Sequence, residues 1–146
     1  MKSILLISFL IVGATTFAQQ ACKPPKKASK IIVLIKDSDN TLLNRIAKIL
    51  FDKGFTIDTK DETAKILSTK EFAPNHPSLF IKIRASINDS GVVFTGTYAW
   101  TLTAGLHPQD YTAIEYRGMK GSAAIQAWNS FDAVAKMFGD KILYSK

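Results

Sequence analysis

Between Leu79 and Leu102 the chain alternates oily and polar residues with a period of two. Leu79, Ile81, Ile83, Ala85 and Ile87 interleave with Phe80, Lys82, Arg84, Ser86 and Asn88, the pattern of a strand with one apolar side. Past Asp89-Ser90-Gly91, a second run from Val92 to Leu102 places Val92, Phe94, Tyr98 and Trp100 on one side and Val93, Thr95, Thr97, Ala99 and Thr101 on the other. A loop of two or four residues pairs Ile87 with Val92, Ala85 with Phe94, Ile81 with Tyr98 and Leu79 with Trp100. A three-residue loop would set one strand's oily set against the other's polar set and is rejected. The stretch predicts a β-hairpin with a greasy face and a face of Thr, Lys and Arg.

The pattern on either side predicts the remaining elements. Ile31 to Ile35 is a short, wholly apolar strand. Asp37 to Thr41 offers helix N-cap candidates. Leu42, Leu43, Ile46, Ala47, Ile49 and Leu50 follow at helical spacing, and Gly54 closes that helix. Phe55 to Asp58 reads as a strand, Thr59 to Lys65 as a polar turn or a single helical turn, and Ile66 to Phe72 as another strand. The loop 73–78 leads into the hairpin, and the loop 103–110 leads out to a strand over Tyr111 to Arg117. Ser122 caps the last helix, whose stripe is Ala124, Ile125, Trp128, Phe131, Val134, Ala135 and Phe138, with Gly139 as its end. The order is β-α-β-β-β-β-β-α. The expected fold is α+β: one mostly antiparallel sheet of five to six strands with both amphipathic helices on its greasy face. Gly96, opposite Ile83, leaves room for close approach there, with Trp128 and Phe131 expected nearest.

The N-terminus changes the setting. Lys2, the apolar run Ile4 to Val12 and the small residues ending at Ala18 have the layout of a secretory signal peptide, with cleavage after Ala18. The apolar run is shorter than the roughly 20 residues of a spanning helix. The expected division is a signal peptide over 1–18, a flexible Pro/Lys-rich arm over 19–30 and a single domain over 31–146. The location is then periplasmic or secreted, in a bacterium. The arm holds Lys23, Lys26, Lys27 and Lys30, and these with Lys2 carry most of the net charge of +7; from Ile31 onward 14 basic residues face 12 acidic ones. The basicity therefore belongs to a tail attracted to anionic lipid or envelope polymer, or serving as a solvated spacer, and not to a nucleic-acid surface. Cys22 is the only cysteine, so no disulfide forms within the chain. It is open to lipidation, to staying a free thiol or to pairing with another chain. The Gln19-Gln20-Ala21 before it departs from the usual lipoprotein pattern. A lipid at Cys22 is the one membrane attachment expected.

One segment carries a likeness. Leu50, Gly54, Phe55, Asp58, Asp61, Ala64, Ile66 and Thr69 spell out a helix, Leu-x-x-x-Gly-Phe, a short strand, an acidic turn, Ala and a strand ending in Thr. The segment 46–72 resembles the helix-grip or TBP-like domains of periplasmic lipoproteins, such as the C lipoprotein of the outer-membrane β-barrel assembly machinery. The resemblance implies a non-catalytic domain that binds partners in the envelope.

Candidate chemistry is sparse. The largest patterned polar surface is the hairpin face of Lys82, Arg84, Thr95, Thr97 and Thr101, a solvated face or a partner surface. Arg117, Lys120 and Ser122, with two glycines ahead of a helix, form a candidate anion site, against the plain reading of glycines turning strand into helix. His76, His107 and Asp110 have the ligand types of a zinc site but also suit ordinary turns, and no metal is expected. Asp37-Ser38-Asp39-Asn40 lacks the glycine and glutamate of a calcium loop and reads as a helix cap. No Gly-x-Ser-x-Gly elbow is present, and Glu115 has no nominated partner for paired-acid catalysis. A hydrolase would rest on export alone, and no cofactor is expected. The reading is an exported, non-catalytic envelope domain that binds a protein or envelope partner. The alternative is a small-ligand carrier with a pocket between the last helix and the sheet, lined by Tyr98, Trp100, Tyr116 and Trp128.

Overall fold

The hairpin is the longest pairing among the described residues. In the computed structural model, which describes residues 23–35, 41–74, 76–102, 108 and 110–146, β4 (Leu79–Asn88) and β5 (Gly91–Trp100) pair along all 10 residues of each strand. Asp89 and Ser90 form a two-residue turn. Ile87 faces Val92, Ala85 faces Phe94, Ile81 faces Tyr98 and Leu79 faces Trp100, so the register follows from the alternation. Gly91 begins β5 at φ 132°, where a Cβ would stand 2.1 Å from the Val33 carbonyl oxygen. A side chain has no place in that turn.

The rest of the sheet builds outward from this pair. The other elements are β1 (Lys30–Val33), α1 (Leu42–Asp52), β2 (Ile57–Asp61), β3 (Ile66–Thr69), β6 (Thr112–Ala113), α2 (Ala123–Lys136) and β7 (Ile142–Ser145). Strand order is β2-β3-β4-β5-β1-β7, every pair antiparallel, with β6 beside the far end of β5. The fold is α+β, an open antiparallel sheet with two helices, as the alternation predicts.

Four details differ from the sequence reading. β7 is an additional strand on the outer edge of β1; four residues near a terminus are too few for periodicity to declare. β2 runs through Asp61 although its last four residues are exposed, because an edge strand with one wet side needs no oily alternation. The strand expected over Tyr111 to Arg117 shrinks to two residues. β1 already occupies β5 at Val92 to Phe94, so β6 finds free edge at Thr97 and Tyr98 only. The chain then crosses to the N-terminal arm, where the Tyr116 N–H donates to the Ala28 carbonyl (2.8 Å) and the Lys27 N–H to the Tyr116 carbonyl (3.0 Å). Finally, the folded part starts before Ile31. Ala28 is fully buried and the Ser29 N–H donates to the Ser145 carbonyl, so residues 25–30 of the arm belong to the domain. The signal-peptide region, Cys22 and Asp37 to Asn40 lie outside the described residues.

The core fills the space between the greasy sheet face and the helices. α1 contributes Leu42, Leu43, Ile46 and Leu50, and ends where the Phe55 N–H returns to the Leu50 carbonyl and the Gly54 N–H to Phe51, a glycine-closed turn. α2 is capped by the Ser122 hydroxyl, which accepts from the Ile125 N–H at 3.4 Å, and buries Ala127, Trp128, Phe131, Val134 and Ala135. Trp128, 2% exposed, has ring neighbours Tyr116 at 5.5 Å, Phe131 at 5.9 Å and Tyr144 at 5.9 Å. Over Gly96 the nearest side chain is the buried Ile114, with Phe131 next; Trp128 stands farther off. Ile114 fills the space expected for the tryptophan because its N–H bonds the Gly96 carbonyl (2.9 Å), locking that crossing segment onto β5.

Two outcomes follow. Gly96→Ala places a methyl group 2.8 Å from Ile114 Cδ1 and 3.1 Å from the Lys82 carbonyl oxygen, and overpacking of this kind costs about 1–3 kcal/mol, readable as a lowered urea midpoint. Tyr144 donates to Asp132 Oδ1 at 2.8 Å, and burial first, then this bond and the Asp132 charge, push its pKa from 10.0 up to about 12. A raised pKa favours the protonated form in the fold, so the contribution is whole below pH 10 and is lost as pH rises toward 12. Tyr144→Phe should flatten stability against pH over that window, checked by urea titrations at stepped alkaline pH.

Candidate functional site

The face of the sheet away from the helices carries the hairpin's polar set. Pairing of Lys82 with Thr97 and of Arg84 with Thr95 brings all four side chains together on that underside. They line a trough of about 370 Å³, floored by Ile83 and Gly96 and walled by Ser29 and Ala113. The walls come from the two elements that share one edge of β5. β1 pairs at Val92 to Phe94 and β6 at Thr97 to Tyr98, and the gap between them opens onto the trough.

Electrostatics give the trough its character. Among the described residues, neither Lys82 nor Arg84 has a carboxylate within ion-pair distance, whereas Lys60, Lys136 and Arg117 pair with Glu62, Asp132 and Glu115. Arg84 is exposed and Lys82 half-buried. The Lys82 ammonium lies 4.0 Å from the centroid of the Tyr111 ring, a cation–π contact that leaves its charge uncancelled. Tyr111 is held in turn by its hydroxyl, which donates to Glu71 Oε2 at 2.6 Å. Burial, then the bond and charge of Glu71, keep the Tyr111 pKa well above the ordinary tyrosine range. Glu71 reaches this side through an irregularity after β3. Ser68 faces Arg84, but Phe72 bridges Ile81, a one-residue slip that sends Phe72 to the oily side against Phe55, rings 4.4 Å apart, and Glu71 beneath.

The other sequence candidates fall elsewhere. Thr101 follows β5 and is absent from the trough lining; its N–H donates to the Ser78 carbonyl. Arg117 is within 3.6 Å of Glu115, Ser122 caps α2 and Lys120 is exposed. Gly118 and Gly121, at φ 101° and 87°, turn the chain into the helix. The His76 Nδ1 accepts from the Ser78 N–H and its ring stacks on Trp100 at 4.5 Å. His107 lies outside the described residues, and among those described no group of three metal-ligating side chains gathers. No described helix is long and apolar enough to cross a membrane.

The four aromatics expected to line a ligand pocket are not brought together. Tyr116 and Trp128 pack in one cluster while Trp100 pairs with His76. Two adjoining clefts do lie between α2 and the sheet. One, about 270 Å³, is lined by His76, Leu79, Gln126 and Asn129; the other, about 200 Å³, by Phe55, Phe72, Ile81 and Met137; both share Ser130 and Ala133.

Compared with protein-family models and with curated protein sequences, the chain finds no match.

Sequence reasoning missed Ser29, Ala113 and Tyr111. Ser29 lies in the stretch whose Pro/Lys composition reads as an arm, and the contact of Tyr111 depends on the slip after β3, which no periodicity announces. Tyr111→Phe keeps the ring over Lys82 and removes the bond to Glu71. It should cost about 1–2 kcal/mol by urea denaturation. Tyr111→Ala, which also removes the ring, should in addition raise the rate at which an acetylating reagent modifies Lys82, read by mass spectrometry.

Proposed function

We propose that the chain is an exported, non-catalytic domain of the cell envelope that binds a protein or envelope partner through the underside of its sheet. The observation that carries this reading is the pair of cations, Lys82 and Arg84, without an ion-pair partner among the described residues, in a trough with the hydroxyls of Thr95 and Thr97. Like charges two residues apart on one strand repel, and an anionic partner relieves that repulsion. The export layout at Lys2, Ile4 to Val12 and Ala18 and the resemblance of segment 46–72 to periplasmic helix-grip or TBP-like domains support an envelope setting. Lipidation of Cys22 would tether the domain by its basic arm.

The two clefts beside α2 favour a second reading, a small-ligand carrier. Two measurements separate them. Lys82→Glu with Arg84→Glu should reduce capture of partners from an envelope extract at least tenfold, while far-UV circular dichroism and thermal midpoint stay near those of the parent. Unchanged capture removes this face from consideration. A midpoint raised by lipophilic compounds, and blunted by filling the cleft with Ala133→Leu, would favour the carrier.

A further inference from the structure

The underside is divided into rows, and their order points to one kind of occupant. Lys82 and Thr97 form the first row and Arg84 and Thr95 the second. Beside the second row stands Lys30, which begins β1 on the same face as Ile32, because Ile31 and Val33 turn inward. The third row changes character. Ser86 pairs with Val93, and outward from Val93 the aliphatic Ile32 and Leu143 follow on β1 and β7, Leu143 being 50% exposed. Cationic rows thus give way to an aliphatic row, each step along the strand being about 7 Å, two residues of extended chain.

We infer that the trough receives an extended, acidic segment of a protein partner, lying along β5 with the pattern acid-x-acid-x-aliphatic. This rests on the reading of the underside as the contact face and adds the chemistry of what binds there. Alternate side chains of an extended segment repeat at the spacing of the rows. One carboxylate then meets Lys82 and the Thr97 hydroxyl, and the next meets the Arg84 fork and the Thr95 hydroxyl, a charge-assisted pairing. The third downward side chain, two positions on, covers Val93 and Ile32. Other anionic partners fit less well. Lys82 is recessed beneath Tyr111, out of line with a flat bilayer surface. A glycan lacks the aliphatic group for the third row, and the Tyr111 ring on which it would stack already faces Lys82.

The test is amide chemical-shift mapping on the ¹⁵N-labelled exported chain at low salt. The probe is an end-blocked peptide, Ser-Glu-Ser-Glu-Ser-Leu-Ser. Its control has the same composition with the two Glu residues adjacent, so that both cannot point down. Shifts confined to residues 30–32, 82–84 and 93–97, with the alternating peptide bound at least threefold more tightly than the control, are the expected result. Arg84→Glu should weaken binding tenfold or more, and Ile32→Thr several-fold with the salt dependence kept. Equal affinity for both peptides, or shifts elsewhere, overturns the inference. So does tighter binding of polygalacturonate or of phosphatidylglycerol vesicles than of the peptide. If either of those is bound in an Arg84-dependent way, the contact face stands and the protein class falls. If nothing is bound and envelope capture ignores Arg84→Glu, both fall.

Discussion

Everything in this molecule depends on ten consecutive antiparallel pairs between β4 and β5. Side chains on a strand alternate between faces, so the first pair fixes the side of all the others. Once Asn88 meets Gly91, the oily residues Leu79, Ile81, Ile83 and Ala85 come to one side and Lys82 and Arg84 to the other. A one-residue slip that turned β4 over would bury the two cations and expose Leu79, Ile81, Ile83 and Ala85. The cost of that exchange, a few kcal/mol for each buried aliphatic group and more for an unpaired buried charge, is what makes the register unique.

The helices settle which side becomes the interior. α1 covers the β2–β3 end and α2 crosses β4, β5 and β1, both on the greasy face. Trp128 holds the second contact because it touches three elements at once: the crossing segment at Tyr116, its own helix at Phe131 and the last strand at Tyr144. Tyr144 in turn fastens β7 to α2 through Asp132. The added edge strand is therefore held from two directions, by β1 through backbone bonds and by α2 through side chains.

What the residue pattern reveals is whatever period-two and period-3.6 repeats encode. The hairpin register, the faces of Lys82, Arg84, Thr95 and Thr97, both helices and the Gly54 closure were all legible before any coordinates. Elements that obey another rule were not. β2 is stabilised as an edge by its neighbour, so Thr59 to Asp61 look like a turn although they continue the strand. The slip after β3 reverses Phe72 and Glu71 with no signal in their identities. β6 is short because β1 reaches part of the same edge first, a competition between segments far apart in the chain. Ser29 and Ala113 entered the trough through that same competition.

That competition also explains why the trough exists. Had one strand paired with β5 along its whole length, the underside would be an even pleated surface with Arg84 and Lys82 in open water. Dividing the edge between β1 and β6 leaves Ser29 and Ala113 facing each other across a gap. The slip after β3 brings Glu71 beneath the sheet to hold Tyr111 over Lys82. A charge with water displaced from one side acts through a lower effective dielectric than a surface charge does, and its attraction for an anion is correspondingly stronger and less screened. The two departures from regular alternation therefore convert a stripe of ordinary surface cations into a shaped recess in which the Glu71 carboxylate is taken up by the Tyr111 hydroxyl and Lys82 faces the ring, and they do so without disturbing the pairs that hold the fold.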